Sequence, residues 1–151
     1  SFRYIKMDRC IKYKFGVIPH KTEYGLQAVQ SLKINNDILL LDIVNYGSCK
    51  DFLTKMNSCE YIISSSLHGI IMTDSYGIPN IWARFSPKVD GDGFKYEDYF
   101  RGARKEAHCI NLSDGFDESS IMKEMLKWQR PTIDEAFVKA CPFSIIKEQI
   151  L

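Results

Sequence analysis

Short, nearly uninterrupted apolar runs alternate along this chain with stretches whose apolar residues recur every three or four positions. Tyr13 to Pro19 (YKFGVIP) has the pattern of a buried strand that ends at Pro19-His20. Asp37 to Val44 (DILLLDIV) is a second run, apolar enough to be covered on both faces. Cys49 to Met56 carries Phe52, Leu53 and Met56 at helical spacing, and Glu60 to Ser65 is a third strand. Leu67 to Tyr76 then reads as a helix closed by Gly77 and Pro79, a common stop signal. Asn80 to Arg84 and Ala107 to Leu112 are the fourth and fifth strands. Asp117 to Trp128 is a capped amphipathic helix with Ile121, Met125 and Trp128 on one face, and Thr132 to Ala140 a further helix. Strands that alternate with helices predict an α/β domain built on a doubly wound parallel sheet, Rossmann-like in type and spanning residues 1–151. In such sheets ligands sit at the carboxyl ends of the strands, which directs attention to the loops after Pro19, Val44, Ser65 and Arg84.

Composition narrows the function classes. An apolar fraction of 45% and a charged fraction of 26% are ordinary for a globular domain. A net charge of +1 offers no broad field for nucleic acid or an anionic membrane, so neither is an expected partner. No apolar run approaches the roughly 20 residues that span a bilayer, and no signal peptide opens the chain. The five cysteines, Cys10, Cys49, Cys59, Cys109 and Cys141, never occur as C-x-x-C. Reduced thiols, each a small buried hydrophobe, and a cytoplasmic location are the expectation. Asn111-Leu112-Ser113 fits a glycosylation acceptor only by accident on that view.

The chemistry concentrates at Ser64-Ser65-Ser66-Leu67-His68-Gly69, where a strand runs into three serines and a helix starts at once. Backbone N–H groups and hydroxyls converge there at a helix N-terminus, an arrangement suited to phosphate or carboxylate. His68 falls in the first turn. The positive end of the helix favours neutral imidazole, and a bound dianion favours imidazolium, which makes His68 a proton donor coupled to the ligand. Gly69 allows a ligand or a neighbouring backbone to come close. On spacing alone, Ser66 as a simple N-cap and His68 as a satisfied structural histidine remain open. His20 stands at the end of the first strand, aimed by Pro19, as a second contact or as a loop-bonded structural residue. His108 has no supporting context.

Lys95 and Arg101, in Phe94-Lys95-Tyr96-Glu97-Asp98-Tyr99-Phe100-Arg101, either close over an anion held near Ser66 or belong to the solvated face of a surface helix. Arg84 is a third cation of this kind. Asp90-Gly91-Asp92-Gly93 fails as a calcium loop, because Phe94 and Lys95 stand where an oxygen ligand and a glycine are needed. The chain has no G-x-G-x-x-G, P-loop, G-x-S-x-G or H-E-x-x-H, and no metal site is expected.

The series Gly16-Val-Ile-Pro-His20, Ile62-Ile-Ser-Ser-Ser-Leu-His-Gly-Ile-Ile71, Tyr76-Gly-Ile-Pro-Asn80 and Phe94-Lys-Tyr-Glu-Asp-Tyr-Phe100 resembles the polysaccharide pyruvyl transferase family. The resemblance implies the C-terminal half of a glycosyltransferase-B-like, two-domain architecture, with an N-terminal domain as its missing partner. It also implies phosphoenolpyruvate as donor substrate, a sugar or oligosaccharide acceptor of polysaccharide synthesis, ketal formation and no cofactor. His68 is then the donor-binding acid, with Ser64, Ser65, Ser66, Leu67, Gly69 and His20 around the substrate. Better-known members carry Arg-Leu-His where this chain has Ser66-Leu67-His68, so Lys95 and Arg101 are the expected substitutes for the arginine. Two other readings stand beside it: a nucleotide-sugar-binding domain of glycosyltransferase-B type, and a non-catalytic domain that keeps Ser64 to Gly69 for packing.

Overall fold

The computed structural model describes residues 8–87 and 93–131. Cys141, the Asp90-Gly91-Asp92 turn and the helix expected over Thr132 to Ala140 lie outside them. The strands are β1 (Tyr13–Ile18), β2 (Ile38–Leu40), β3 (Cys59–Ser64), β4 (Asn80–Arg84) and β5 (Cys109–Asn111). Between and after them come α1 (Gln27–Gln30), a 3-10 turn (Ser31–Ile34), α2 (Cys49–Asn57), α3 (Leu67–Ser75), α4 (Phe94–Gly102) and α5 (Glu118–Met125). All neighbouring strands pair in parallel, in the order β2-β1-β3-β4-β5.

Alternation along the central strands explains why helices cover both faces. Phe15 and Val17 of β1, Ile63 of β3 and Ile81 and Ala83 of β4 point to one face. There they pack with Val29 and Leu32 from the β1–β2 crossover and with Ile121 and Met125 of α5. Ile18 and Ile62 point to the other face and meet Phe52, Leu53 and Met56 of α2. Farther along that face Trp82 stacks on Tyr96 at 4.5 Å between ring centroids and packs with Ile70 and Phe100, joining α3 and α4 to the sheet. The expected Rossmann-like, doubly wound sheet is what the chain forms.

Two elements depart from the sequence pattern. The run from Asp37 to Val44 yields only three strand residues, because Asp42 bends the chain. Its Oδ1 accepts from the N–H groups of Val44 (2.8 Å) and Asn45 (3.0 Å), so those donors leave the ladder and Val44 becomes exposed. Burial tends to raise the Asp42 carboxyl, but these backbone bonds and the Asn45 amide outweigh it and hold the group low. Residues 94–102 form a true helix because Tyr96 and Phe100, one turn apart, bury against Trp82.

At the far end of α3 a buried carboxylate joins four segments. Asp74 is 4% exposed. Its Oδ1 accepts from Asn80 Nδ2 (2.7 Å), Lys105 Nζ (2.9 Å) and Trp128 Nε1 (2.9 Å). Its Oδ2 accepts from the Tyr99 hydroxyl and again from Lys105, each at 2.9 Å. Burial, with the Asp74 charge beside it, pushes the Tyr99 phenol above its usual range. Arg104 has a left-handed backbone (φ 56°), and the N–H of Lys105 reaches back to the Phe100 carbonyl (2.8 Å). That helix-ending turn aims Lys105 at Asp74.

Removing one partner of such a pair leaves the other charge buried. Asp74→Ala is expected to cost about 3–5 kcal/mol, read as a lower urea midpoint. A second expectation concerns α5, whose N-cap Asp117 is held below the usual carboxylate range chiefly by the Ser120 hydroxyl, which with the N–H groups of Ser119 and Ser120 outweighs the opposing effect of desolvation. A depressed folded value means that this stabilisation is complete above the unfolded carboxylate value, about 3.9, and fades as pH falls through the lower folded one. The acid limb of a stability–pH curve is expected to flatten in Asp117→Asn.

Candidate functional site

The strand order reverses between β1 and β3, so the topological switch point of the sheet lies where Ile18 and Ser64 end side by side. The chain passes there from strand to helix in residues that are at most 5% exposed: Ser64, Ser65 and Ser66. Polar groups so deeply buried need internal partners, and those of Ser64 and Ser65 find them. Ser64 Oγ donates to the Ile18 carbonyl (2.9 Å), lies 2.9 Å from the Ser66 carbonyl and accepts from the Ser66 N–H (3.0 Å). Ser65 donates its N–H to Ile18 O (3.2 Å) and its hydroxyl accepts from the His20 N–H (2.8 Å). The Ser65 carbonyl accepts from the Tyr96 hydroxyl (2.8 Å). Ser64 and Ser65 thus lie beneath the surface of the site and fix its parts.

Ser66 is the N-cap of α3, but its hydroxyl makes no capping bond. The first N–H groups of α3 therefore have no intrahelical acceptor. Leu67 is half-buried and packs toward Ile70 and Trp82, while His68 is exposed. Gly69 faces inward: a methyl group there would collide with Ser64 Oγ and come within 2.9 Å of Ile18 Cγ2. What approaches Gly69 closely is this chain's own strand, which lets α3 sit low on the sheet.

A cavity of about 460 Å³ opens beside this junction. His20, Lys21, Ser66 and His68 line it, together with Ile43, Val44, Tyr46, Phe52, Leu53, Met72 and Cys49. Among the described residues no aspartate or glutamate lines it. The two sequence-predicted histidines therefore share one pocket. Lys95 and Arg101 are both exposed and neither lines the pocket. Tyr96 and Phe100 take the buried face of α4, which leaves Lys95 to lie over the Tyr96 ring (5.4 Å). Arg84 turns back onto the carbonyls of Ser86 and Pro87. Lys21 is the cation that sequence reasoning missed; its neighbour His20, on a strand-end loop, was the available signal.

The His20 ring is oriented by Thr22. Nδ1 lies 2.8 Å from Thr22 Oγ1 and accepts from the Thr22 backbone N–H (3.4 Å). A hydroxyl can bond either way, but an N–H only donates, so Nδ1 is the acceptor and the neutral ring carries its proton on Nε2. The turn is pinned again at Glu23, 6% exposed, whose Oε1 accepts from Phe85 N (3.1 Å) and Ser86 Oγ (2.7 Å). Glu23 Oε2 is buried with no hydrogen-bond partner.

A larger cavity, about 610 Å³, lies where β4 and β5 begin; of the groups at its wall, Lys105 pairs with Asp74, and His108 and Lys127 bond to Glu124. His108 is thus an exposed residue bonded to Glu124. Among the thiols, burial pushes Cys59 up to about 12 and Cys109 up to about 11, values unsuited to nucleophiles. Cys10 and Cys49, expected to be buried, are exposed, Cys49 because it opens α2 at the pocket rim. Among the described residues no three His, Cys, Asp or Glu side chains cluster as a metal site, and no helix is long and apolar enough to cross a membrane.

Gly69→Ala is expected to force α3 away from the strand ends at about 1–3 kcal/mol, seen as a lower melting temperature. Gly25→Ala, at a position with open space around it, serves as the control.

The chain is 35% identical over 89 residues to an uncharacterized protein of Acanthamoeba polyphaga mimivirus, an overlap of 58% of this chain and 31% of the relative. It therefore spans about a third of that relative's length. No solved structure matches it. The family model for polysaccharide pyruvyl transferase matches residues 3–85, more than half of the chain. That stretch holds β1 to β4, His20, Lys21 and the whole Ser64–Gly69 junction, and with it this chain belongs to the polysaccharide pyruvyl transferase family.

Proposed function

We propose that the switch-point pocket binds phosphoenolpyruvate and that the protein transfers its pyruvyl group to a sugar hydroxyl of a polysaccharide or its precursor. The observation that carries this reading is the pocket's make-up. Two histidines, a lysine and an uncapped helix N-terminus meet in a cleft that no carboxylate of the described residues lines, a set of groups suited to a small polyanion.

His68 protonates the methylene carbon of phosphoenolpyruvate, which leaves an oxocarbenium-like centre at the adjacent carbon. A sugar hydroxyl adds to that carbon and loses its proton. A second hydroxyl then displaces phosphate by breaking the carbon–oxygen bond, and a cyclic ketal results. Of the two hydroxyl protons, one restores His68 and the other leaves on phosphate. His20, with its proton on Nε2, contributes a hydrogen-bond donor to the same anion. The acceptor would be held between this domain and a preceding one. The exposure of His68 at a cleft speaks against a domain that keeps this junction for packing alone.

Calorimetric titration of phosphoenolpyruvate into the 151-residue chain and into His68→Ala tests the assignment. Binding at least tenfold weaker in the variant is expected, the loss of one charge-assisted contact of about 1.5–3 kcal/mol. Equal affinities, or no binding by wild type, would sink it. Binding of a nucleotide sugar without phosphoenolpyruvate would favour the nucleotide-sugar reading instead.

A further inference from the structure

Position 66, at the α3 cap, is an uncharged serine, and Lys95 and Arg101 lie outside the pocket. The geometry points to Lys21 as the cation that holds the bound anion, an inference that rests on the phosphoenolpyruvate reading for the identity of the ligand but not for the presence of an anion. Lys21 is the lone lysine or arginine among the described residues lining the cavity, which it shares with His20, Ser66 and His68. It is exposed, and Glu23, the carboxylate nearest it in sequence, is buried and turns its Oε1 to Phe85 and Ser86 instead.

Its backbone is held on both sides. The His20 N–H is tied to Ser65 Oγ, the His20 carbonyl accepts from the N–H groups of Glu23 (2.9 Å) and Tyr24 (3.1 Å), and the Glu23 carboxylate is buried against the β4 exit. The turn that carries Lys21 is therefore fixed before any ligand arrives, and only the side chain loses freedom on binding. A lysine here acts as a point charge, where an arginine would grip two oxygens at once. This chain would thus bind its anion from the β1 loop, with a less directional contact than one made from the α3 cap.

Phosphoenolpyruvate and inorganic phosphate are titrated separately into wild type, Lys21→Gln, Lys21→Arg, Lys95→Gln and Arg101→Gln, with circular dichroism to confirm equal folding. About tenfold weaker binding of both anions is expected in Lys21→Gln, with near wild-type affinity in Lys21→Arg and in the two α4 variants. The wild-type salt dependence should also be shallower in Lys21→Gln. Undiminished binding in Lys21→Gln, or the loss appearing instead in Lys95→Gln or Arg101→Gln, overturns the assignment. Phosphate binding that depends on Lys21 without phosphoenolpyruvate binding would keep Lys21 and discard the pyruvyl donor. Phosphoenolpyruvate binding that ignores Lys21 would do the reverse, and failure of wild type to bind either anion would discard both.

Discussion

The pocket depends on how three consecutive buried residues, Ser64, Ser65 and Ser66, turn a strand into a helix without water. The buried polar groups of Ser64 and Ser65 need protein partners, and those partners belong to elements that shape the cleft. Ser65 alone bonds the β1 end through its N–H, the His20 loop through its hydroxyl and α4 through its carbonyl. Ser64 closes the junction on itself, and Gly69 lets α3 come down onto that closed hydroxyl. A larger side chain at either place would lift the helix whose first turn presents Ser66 and His68.

The opposite end of α3 is held by charge rather than by close packing. Asp74 gathers donors from β4, α4, the segment after α4 and the segment after α5. A carboxylate and an ammonium so far out of water are tolerated because every oxygen lone pair is engaged. With both ends fixed, α3 is a rigid arm, and the positions of His68 and Ser66 follow from the sheet rather than from a flexible loop.

The cleft itself is divided in chemistry. Its histidines, Lys21 and the uncapped N–H groups all offer protons or positive charge, whereas Ile43, Val44, Tyr46, Phe52 and Leu53 supply an apolar remainder. Asp42 contributes indirectly: by ending β2 early it sends Ile43, Val44 and Tyr46 to the pocket instead of extending the sheet edge. The Thr22 contact does comparable work on His20, because it decides which ring nitrogen carries the proton.

The sequence by itself determined the strand–helix alternation, the α3 start and stop, and the junction that matters, because those depend on local periodicity and on residues adjacent in the chain. It also brought forward His20 and His68 as separate strand-end residues. Only the tertiary structure decided that the two histidines share one pocket, since that follows from β1 and β3 pairing across a reversal of strand order. The same holds for the finding that Lys21 lines that pocket while Lys95 and Arg101 do not. Helix α4 must bury Tyr96 and Phe100 against Trp82, and that packing, which joins residues far apart in the chain, leaves Lys95 and Arg101 exposed and outside the pocket. Asp74, an ordinary acidic residue near a helix end in the sequence, becomes a structural centre for the same reason: its donors are distant in sequence and meet only when the sheet is formed.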